Sequence, residues 1–434
     1  MNTKINNKRK QHSHYIIFSF LLITSFAFHI FFRNDLQQAS NQALTYISHY
    51  FNQNTKLHSL LIKIFLYSQK YDIFVLALLI IMYNFANIFK TYILILTLQI
   101  TYILLSITKL IYRDDKPFFK LNKEYENIFA LHNKDIQYGT PSNNICIITV
   151  FLLTYWRVIF KSVKCEERSC CYKFIALIFV SSAIIGNCFI NWIFYSNSLD
   201  QIAFSICLAL CIYFFIFYVL NLYSNDTKQL FKTLIFPIYY KCLIYLGIIA
   251  IYTVFFFTMR NWYRESEVKR YYDRYKQMNI DVNEIDLFNR EYFSFCIFFF
   301  NLGMIFGMRR EYFSLFEGNF NNWAQYNFEK DEEIKDEDDQ SLMSKLSINK
   351  AIQWNHTKIH YSIARLILLL LLLTLCGLPY LLISPQSNII IVIVFKYFLP
   401  LNIISFGMFY GYKQILKFLK VTNILIFTML RESV

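Results

Sequence analysis

Charge is scarce in this chain. Asp, Glu, Lys and Arg make up 17% of its 434 residues, below the roughly 25% usual in soluble domains, which argues against a globular fold bathed in water. Glycine and proline are also few, at 9 and 6 residues, while Phe, Ile, Tyr, Asn and Lys abound. That bias looks like an AT-rich coding sequence, so a lone Asn, Lys or Tyr carries reduced weight. No recognised nucleic-acid module and no basic stripe is visible. The net charge of +14 is scattered over short loops, where attraction to anionic lipid headgroups accounts for it; nucleic acid is not an expected partner. Paired histidines and a matching CxxC are missing, which leaves the loop cysteines Cys165, Cys170 and Cys171 without support as a zinc site; a free or palmitoylated juxtamembrane cluster suits them better. No internal repeat appears, so an inverted-repeat transporter gains nothing.

What the chain does have is apolar surface, with 56% hydrophobic and 19% aromatic residues. These fall into blocks of about 20 residues, the length that crosses the hydrocarbon core of a bilayer. The fold class expected is all-α, a polytopic transmembrane bundle of about ten spans. They run over 15–32, 73–89, 93–111, 145–160, 174–193, 201–222, 234–258, 292–308, 363–383 and 389–409. The first follows Lys4, Lys8, Arg9 and Lys10 without a small-residue cleavage site, as a retained signal anchor would. The short apolar stretch 57–68 suits the interface. With a cytoplasmic N-terminus, loops 33–72, 112–144, 194–200 and 259–291 share the far side, an orientation the positive-inside bias supports only weakly. The sequons at Asn225 and Asn355 then face the cytoplasm and stay unmodified.

Two polar loops break the pattern. Segment 259–291 is Tyr-rich and mixed in charge, suited to a short amphipathic helix. Segment 309–362 carries the acidic run Asp331, Glu332, Glu333, Asp336, Glu337, Asp338 and Asp339. Such a block repels itself and reads as a solvated loop; a protein partner there is conceivable but unspecified.

Three short polar signals fall at the same ends of four consecutive spans. Lys109 is followed by Tyr112-Arg113-Asp114-Asp115-Lys116-Pro117. Next, Tyr138-Gly139-Thr140-Pro141-Ser142-Asn143-Asn144 precedes the fourth span. Then Asn197-Ser198-Leu199-Asp200-Gln201 joins the fifth to the sixth. Each has a plain reading: a snorkelling basic cluster, a Pro-Ser helix start and an Asp helix cap. Alternating crossing nevertheless puts all three on one membrane face, where they can converge.

In order and spacing these signals resemble the type 2 phosphatidic acid phosphatase superfamily, the lipid phosphate phosphatases. That family reads KxxxxxxRP, then PSGH, then an Arg five residues before a His with an acidic partner after it. Here Lys109 to Pro117 keeps the first spacing, with Lys116 in the Arg place. Gly139-Thr140-Pro141-Ser142 keeps the start of the second. Asn197 to Ile202 looks like the entry to the family's last core helix. The resemblance covers about 73–222 and implies three regions: 1–72 with the anchor and a lumenal segment, the core 73–222, and a further membrane region 223–434 carrying the acidic loop 309–362.

The family's chemistry is hydrolysis of lipid phosphates without cofactor or metal. Lys and Arg and the N–H groups of a helix N-terminus cradle the phosphate, one imidazole attacks phosphorus, and a second protonates the leaving oxygen. Carried over by motif, the phosphate-binding positions are Lys109, Lys116, Ser142, Asn143 and Asn191, and Asp200 is the orienting acid. The two imidazole positions are Asn144 and Asn197, and Asn191 stands in the Arg place. Asparagine bonds phosphate but neither shuttles protons nor forms a phosphoenzyme. The histidines in the loops of that face are His49, His58 and His132, the last nine residues before Pro141.

The leading expectation is therefore a catalytically impaired relative that binds a phosphorylated lipid at the lumenal face of an endomembrane such as the endoplasmic reticulum. An active lipid phosphate phosphatase, and a transporter or membrane-complex subunit, are the competing readings.

Overall fold

The computed structural model describes residues 29–40, 55–85, 88–114, 116–117, 139–160, 167–194, 196–222, 238–261, 294–316, 359–383 and 389–411, with single positions between 20 and 43 and at 269, 273, 292 and 415. Every regular element among them is helical. Sequence composition explains this: long apolar runs with few Gly or Pro have only their own backbone to satisfy N–H and C=O groups in lipid.

In chain order the helices are α1 (29–40), α2 Thr55–Ser68, α3 Tyr71–Phe85, α4 Ile88–Tyr112, α5 Asn143–Phe160, α6 Glu167–Ile193, α7 Leu199–Leu222 and α8 Ile238–Asn261. They continue with α9, a 3₁₀ turn Cys296–Phe299 running into Phe300–Phe316, then α10 Ile359–Leu382, and α11 from Ile389 to Gly411.

Six helical stretches are long and apolar enough to cross a membrane: Thr91–Tyr112, Asn143–Phe160, Cys171–Ile193, Leu199–Ile216, Tyr239–Met259 and Val392–Gly411. A seventh arises if α2 and α3, bent by 55° between Ser68 and Tyr71, make one broken span. The chain is thus a multi-pass membrane protein by these helices, and six of the ten expected spans meet that test among the described residues. Expected span 292–308 falls on the helical run Cys296–Phe316 and expected span 363–383 on α10, Ile359–Leu382, with apolar stretches Cys296–Gly307 and Leu366–Pro379 among the described residues. Span 15–32 lies partly outside the described residues. The stretch 57–68, expected at the interface, is the first arm of the bent pair.

The described contacts gather into two units. The first comprises Met1–Leu79, Tyr92–Leu222 and Phe256–Phe295; the second comprises Ile80–Thr91, Tyr223–Phe255 and Cys296–Val434. In the first, α5 is the hub, packed against both α6 and α7, and α2 lies on α6. Ile145, Cys146, Ile147, Val150 and Phe151 of α5 are all buried, as a helix apolar on every side must be. By contrast α6 turns Phe174, Ile178, Phe179, Ile185 and Phe189 outward, a surface suited to lipid. The Tyr102 hydroxyl, on α4, donates to Asp72 of α3 at 2.8 Å.

In the second unit α9 packs on α11, and α10 also contacts α11. Gly303 and Gly307 make this approach possible. A Cβ at Gly303 would stand 2.1 Å from the Asn402 carbonyl oxygen, and one at Gly307 would stand 3.0 Å from Phe409 Cβ. This is the small-xxx-small packing common between membrane helices. The Asn402 side chain accepts from the Gly303 N–H at 2.8 Å. Helix α11 contains two π segments, Val392–Phe398 and Gly407–Gly411. In the first of these, Lys396 donates to the Ile383 carbonyl at 2.9 Å, satisfying an end of α10 that Pro379 has already weakened.

The acidic run, most of 259–291, and His49 and His132 lie outside the described residues. Cys170 and Cys171 are in the first turns of α6 rather than in a loop. No group of His, Cys, Asp or Glu able to hold a metal occurs among the described residues.

Candidate functional site

The polar cluster of the first unit is built where α4 ends and α5 and α7 begin. Helix α4 stops because Arg113 adopts φ +53°, the left-handed conformation that ends helices, usually at Gly or Asn. In a residue with a Cβ this costs about 1–2 kcal/mol. The Arg113 Nε donates to the Leu110 carbonyl at 2.8 Å and its N–H to Lys109 O at 3.0 Å, which holds the turn. The chain then swings Asp114 back across the helix end.

Gly139 joins the three segments. Its N–H donates to the Asp114 carbonyl at 2.8 Å, and its own carbonyl accepts from Asn197 Nδ2 at 3.2 Å. A Cβ on Gly139 would meet Gln201 Nε2 at 2.3 Å. Only glycine lets Gln201 lie there, and Gln201 Oε1 in turn accepts from Asn197 Nδ2 and the Ser198 N–H, each at 3.3 Å. The Ser142 N–H donates to Ser205 Oγ at 2.7 Å, and the Ser205 hydroxyl donates to Gln201 O at 2.6 Å. The starts of α5 and α7 are thereby tied side by side.

Lys109, Lys116, Asp114, Ser142, Asn143, Asn144, Asn191, Asn197 and Asp200 are all buried. They do not form one set, however. Asn144, Asn187 and Asn191 belong to a relay that reaches α2. Gln69 donates to Asn191 Oδ1 at 3.1 Å, Asn191 to Asn187 Oδ1 at 3.1 Å, Asn187 to Asn144 Oδ1 at 3.2 Å, and Asn144 to the Ser68 carbonyl at 3.1 Å. The Asn191 carbonyl also accepts the N–H groups of Ser196 and Asn197. These amides are engaged with one another and with backbone.

The motif reading did not include α1, which supplies two side chains to this cluster. Arg33 donates to Asp114 Oδ1 at 2.5 Å. His29, 2% exposed, places Nε2 3.8 Å from Asp200 Oδ2. Its ring packs on Tyr112 and Phe204, with centroids 4.9 and 4.7 Å away. Farther along α1, Ser40 Oγ accepts from Trp192 Nε1 at 3.0 Å and from the Leu199 N–H at 3.4 Å, capping α7 from another helix. Nothing in local sequence marks His29 or Ser40, since each is one polar residue in or near an apolar block and its partner lies over 150 residues away.

Burial pushes the Asp114 carboxyl above the ordinary carboxylate range. The nearby Thr140 hydroxyl, Arg33 and His29 pull it back down, and the Asp200 carboxylate adds to the rise. Among the described residues, Arg33 sets a cation against the Asp114 carboxylate, with Asp200 close enough to act on the same group.

Comparisons with protein-family models, with characterised proteins and with solved structures found no match.

Proposed function

We propose that the α4, α5 and α7 ends form a binding site for the phosphorylated headgroup of a lipid, in a core that resembles the lipid phosphate phosphatases and has lost their motif histidines. The observation that carries this reading is Gly139, whose N–H and carbonyl tie the Asp114 segment to the Asn197 segment. Lys109 and Lys116 are buried in the first of those segments. A lysine ammonium makes charge-assisted hydrogen bonds to phosphate oxygens. Asn144 and Asn197, which motif spacing aligns with the family's imidazoles, spend their amides on bonds to the Ser68 and Gly139 carbonyls. Binding without cleavage follows.

The test uses the full chain in nanodiscs or detergent. Phosphatidate vesicles should retain it over neutral phosphatidylcholine vesicles, without release of inorganic phosphate. Lys109→Ala or Lys116→Ala should weaken retention roughly tenfold, the size of one charge-assisted bond. Equal retention on both vesicles would end the reading.

His29 favours a second reading, hydrolysis. Its imidazole lies beside the Asp200 carboxylate, the pairing of a general base with its orienting acid. In that reading His29 takes a proton from an attacking water as the phosphorus–oxygen bond to the lipid breaks. The same proton then passes to the departing lipid alkoxide, leaving inorganic phosphate. Phosphate release from phosphatidate or a prenyl diphosphate, abolished by His29→Asn with binding retained, would establish this reading over the first.

A further inference from the structure

The exposed side of α2 is neither uniformly apolar nor uniformly polar. At about 100° of rotation per residue, its side chains divide into three sectors. One turns to the protein, where Phe65, 1% exposed, stacks on Phe194 with ring centroids 4.7 Å apart. The second is exposed and apolar, with Leu60 and Ile64 on one stripe. The third is exposed and polar, with Ser59 and Lys63. Tyr67, also exposed, falls on the boundary between the last two, where a phenol presents an apolar ring and a polar hydroxyl.

A helix that faces only acyl chains has a different surface. On α6 the outward residues include Phe174, Ile178, Phe179, Ile185 and Phe189, and no residue from 174 to 189 is charged. Apolar and basic halves side by side fit the boundary of a bilayer, with acyl chains on one side and headgroups on the other. The backbone places α2 at such a boundary. The helix leaves the axis of α3 by 55°, and the break is pinned. The Ser68 carbonyl accepts from Asn144 and the Gln69 amide donates to Asn191, both at 3.1 Å. Asn144 is in the first turn of α5 and Asn191 in the last turn of α6. The C-terminal end of α2 is thereby fastened at the ends of two spans, not midway along them.

The charge on this segment has one sign. Lysines stand at 56, 63 and 70, and no Asp or Glu occurs from 55 to 70. Lys63 and Lys70 are exposed. Each basic residue near an anionic bilayer surface strengthens binding about fivefold.

We infer that α2 lies in the headgroup layer and binds anionic phospholipid, with Leu60 and Ile64 in the acyl boundary and Lys63 and Lys70 on phosphate groups. It is then an interfacial helix and not the first half of a broken span.

The test uses the full chain in bilayers of phosphatidylcholine with phosphatidylglycerol. Leu60→Trp and Tyr67→Trp each report depth through quenching by lipids brominated at successive acyl carbons. The signal is read as the difference from the parent chain with its 5 tryptophans. Both positions should sit equally shallow, within about 3 Å, two residues' rise along a helix. A transmembrane α2 would separate them by up to about 10 Å, and that result overturns the inference. Absence of quenching at both also overturns it, since water or a protein partner then covers the face. Lipid preference is read from spin-labelled phosphatidylglycerol and phosphatidylcholine held at the protein surface. Lys63→Gln combined with Lys70→Gln should lower the preference for phosphatidylglycerol at least about fivefold, the effect of one lysine. A loss below about twofold, less than half of that, overturns the anionic ligand even if both depths are shallow. None of these variants alters the cluster of α4, α5 and α7, so the headgroup-binding reading stands or falls separately.

Discussion

His29 Nε2 lies 3.8 Å from Asp200 Oδ2, with both side chains almost wholly buried, and 170 residues of chain separate them. The contact ties α1 to the start of α7 inside a cluster that also holds Asp114 and Arg33. If the two side chains interact, a double-mutant cycle detects it. His29→Ala and Asp200→Ala should each destabilise the protein, and together by less than their sum. A coupling energy of about 0.5–3 kcal/mol is expected for neighbours of this kind, read from unfolding of the singles and the double in one detergent. Additivity within a few tenths of a kcal/mol would show that the pair is adjacent but uncoupled.

Arg33 and Asp114 make a pH-dependent case. Burial raises the Asp114 carboxyl above its usual value, and Arg33 opposes that rise. A carboxyl raised in the folded state gives its full stabilisation at pH below its unfolded value, and loses it as pH climbs through the folded one. Removing Arg33 raises Asp114 further and leaves its charge uncompensated once it ionises. Arg33→Met should therefore cost little below about pH 4 and progressively more toward neutrality. The Arg33 side chain is 40% exposed, so water screens the pair and the loss should be about 1–2 kcal/mol, below the 3–5 of a fully buried pair. A pH-independent loss would mean that Arg33 acts by packing alone.

The long apolar runs made the helices legible: Thr91–Tyr112 and Asn143–Phe160 fall within two residues of their expected bounds, 93–111 and 145–160. The run 292–308 was legible as helix but not its opening 3₁₀ turn, Cys296–Phe299, because apolar composition does not separate a 3₁₀ turn from an α-helix. Motif spacing pointed to Lys109, Ser142, Asn197 and Asp200, all of which are buried in the first unit. Which amides are structural was hidden. Asn144 and Asn191 look like phosphate or catalytic positions in sequence, but their amides are engaged in a relay ending on Ser68. His29 was hidden for the opposite reason, because tertiary packing alone brings it to Asp200.

The amide relay gives its own prediction. Asn144 donates to Ser68 O and accepts from Asn187 Nδ2, so Asn144→Leu strips a partner from both in one step. Each orphaned buried group costs about 1–3 kcal/mol, and Asn187→Leu should be of similar size because it cuts the relay one residue along. Unfolding of the two singles and the double should show strong non-additivity, since the second cut finds the relay already broken. A loss under about 0.5 kcal/mol for Asn144→Leu would mean that the relay is not structural and would return Asn144 to the ligand site.

The glycines rank themselves by what a methyl group would strike. At Gly303 it meets the Asn402 backbone oxygen and Ser405 Oγ, at 2.1 and 2.2 Å. The backbone oxygen cannot yield without moving α9 away from α11, and overpacking of this kind costs about 1–3 kcal/mol. At Gly307 the nearest atom is Phe409 Cβ at 3.0 Å, a contact that a few tenths of an ångström relieves, so Gly307→Ala should cost less. Gly247, within α8, has nothing within 4 Å. There the added methyl only removes the helical penalty of glycine, about 0.5–1 kcal/mol, and Gly247→Ala should stabilise. Thermal unfolding of the three single variants in one detergent checks the order, Gly303→Ala lowest and Gly247→Ala highest. If Gly303→Ala is tolerated as well as Gly247→Ala, α9 and α11 do not pack through Gly303.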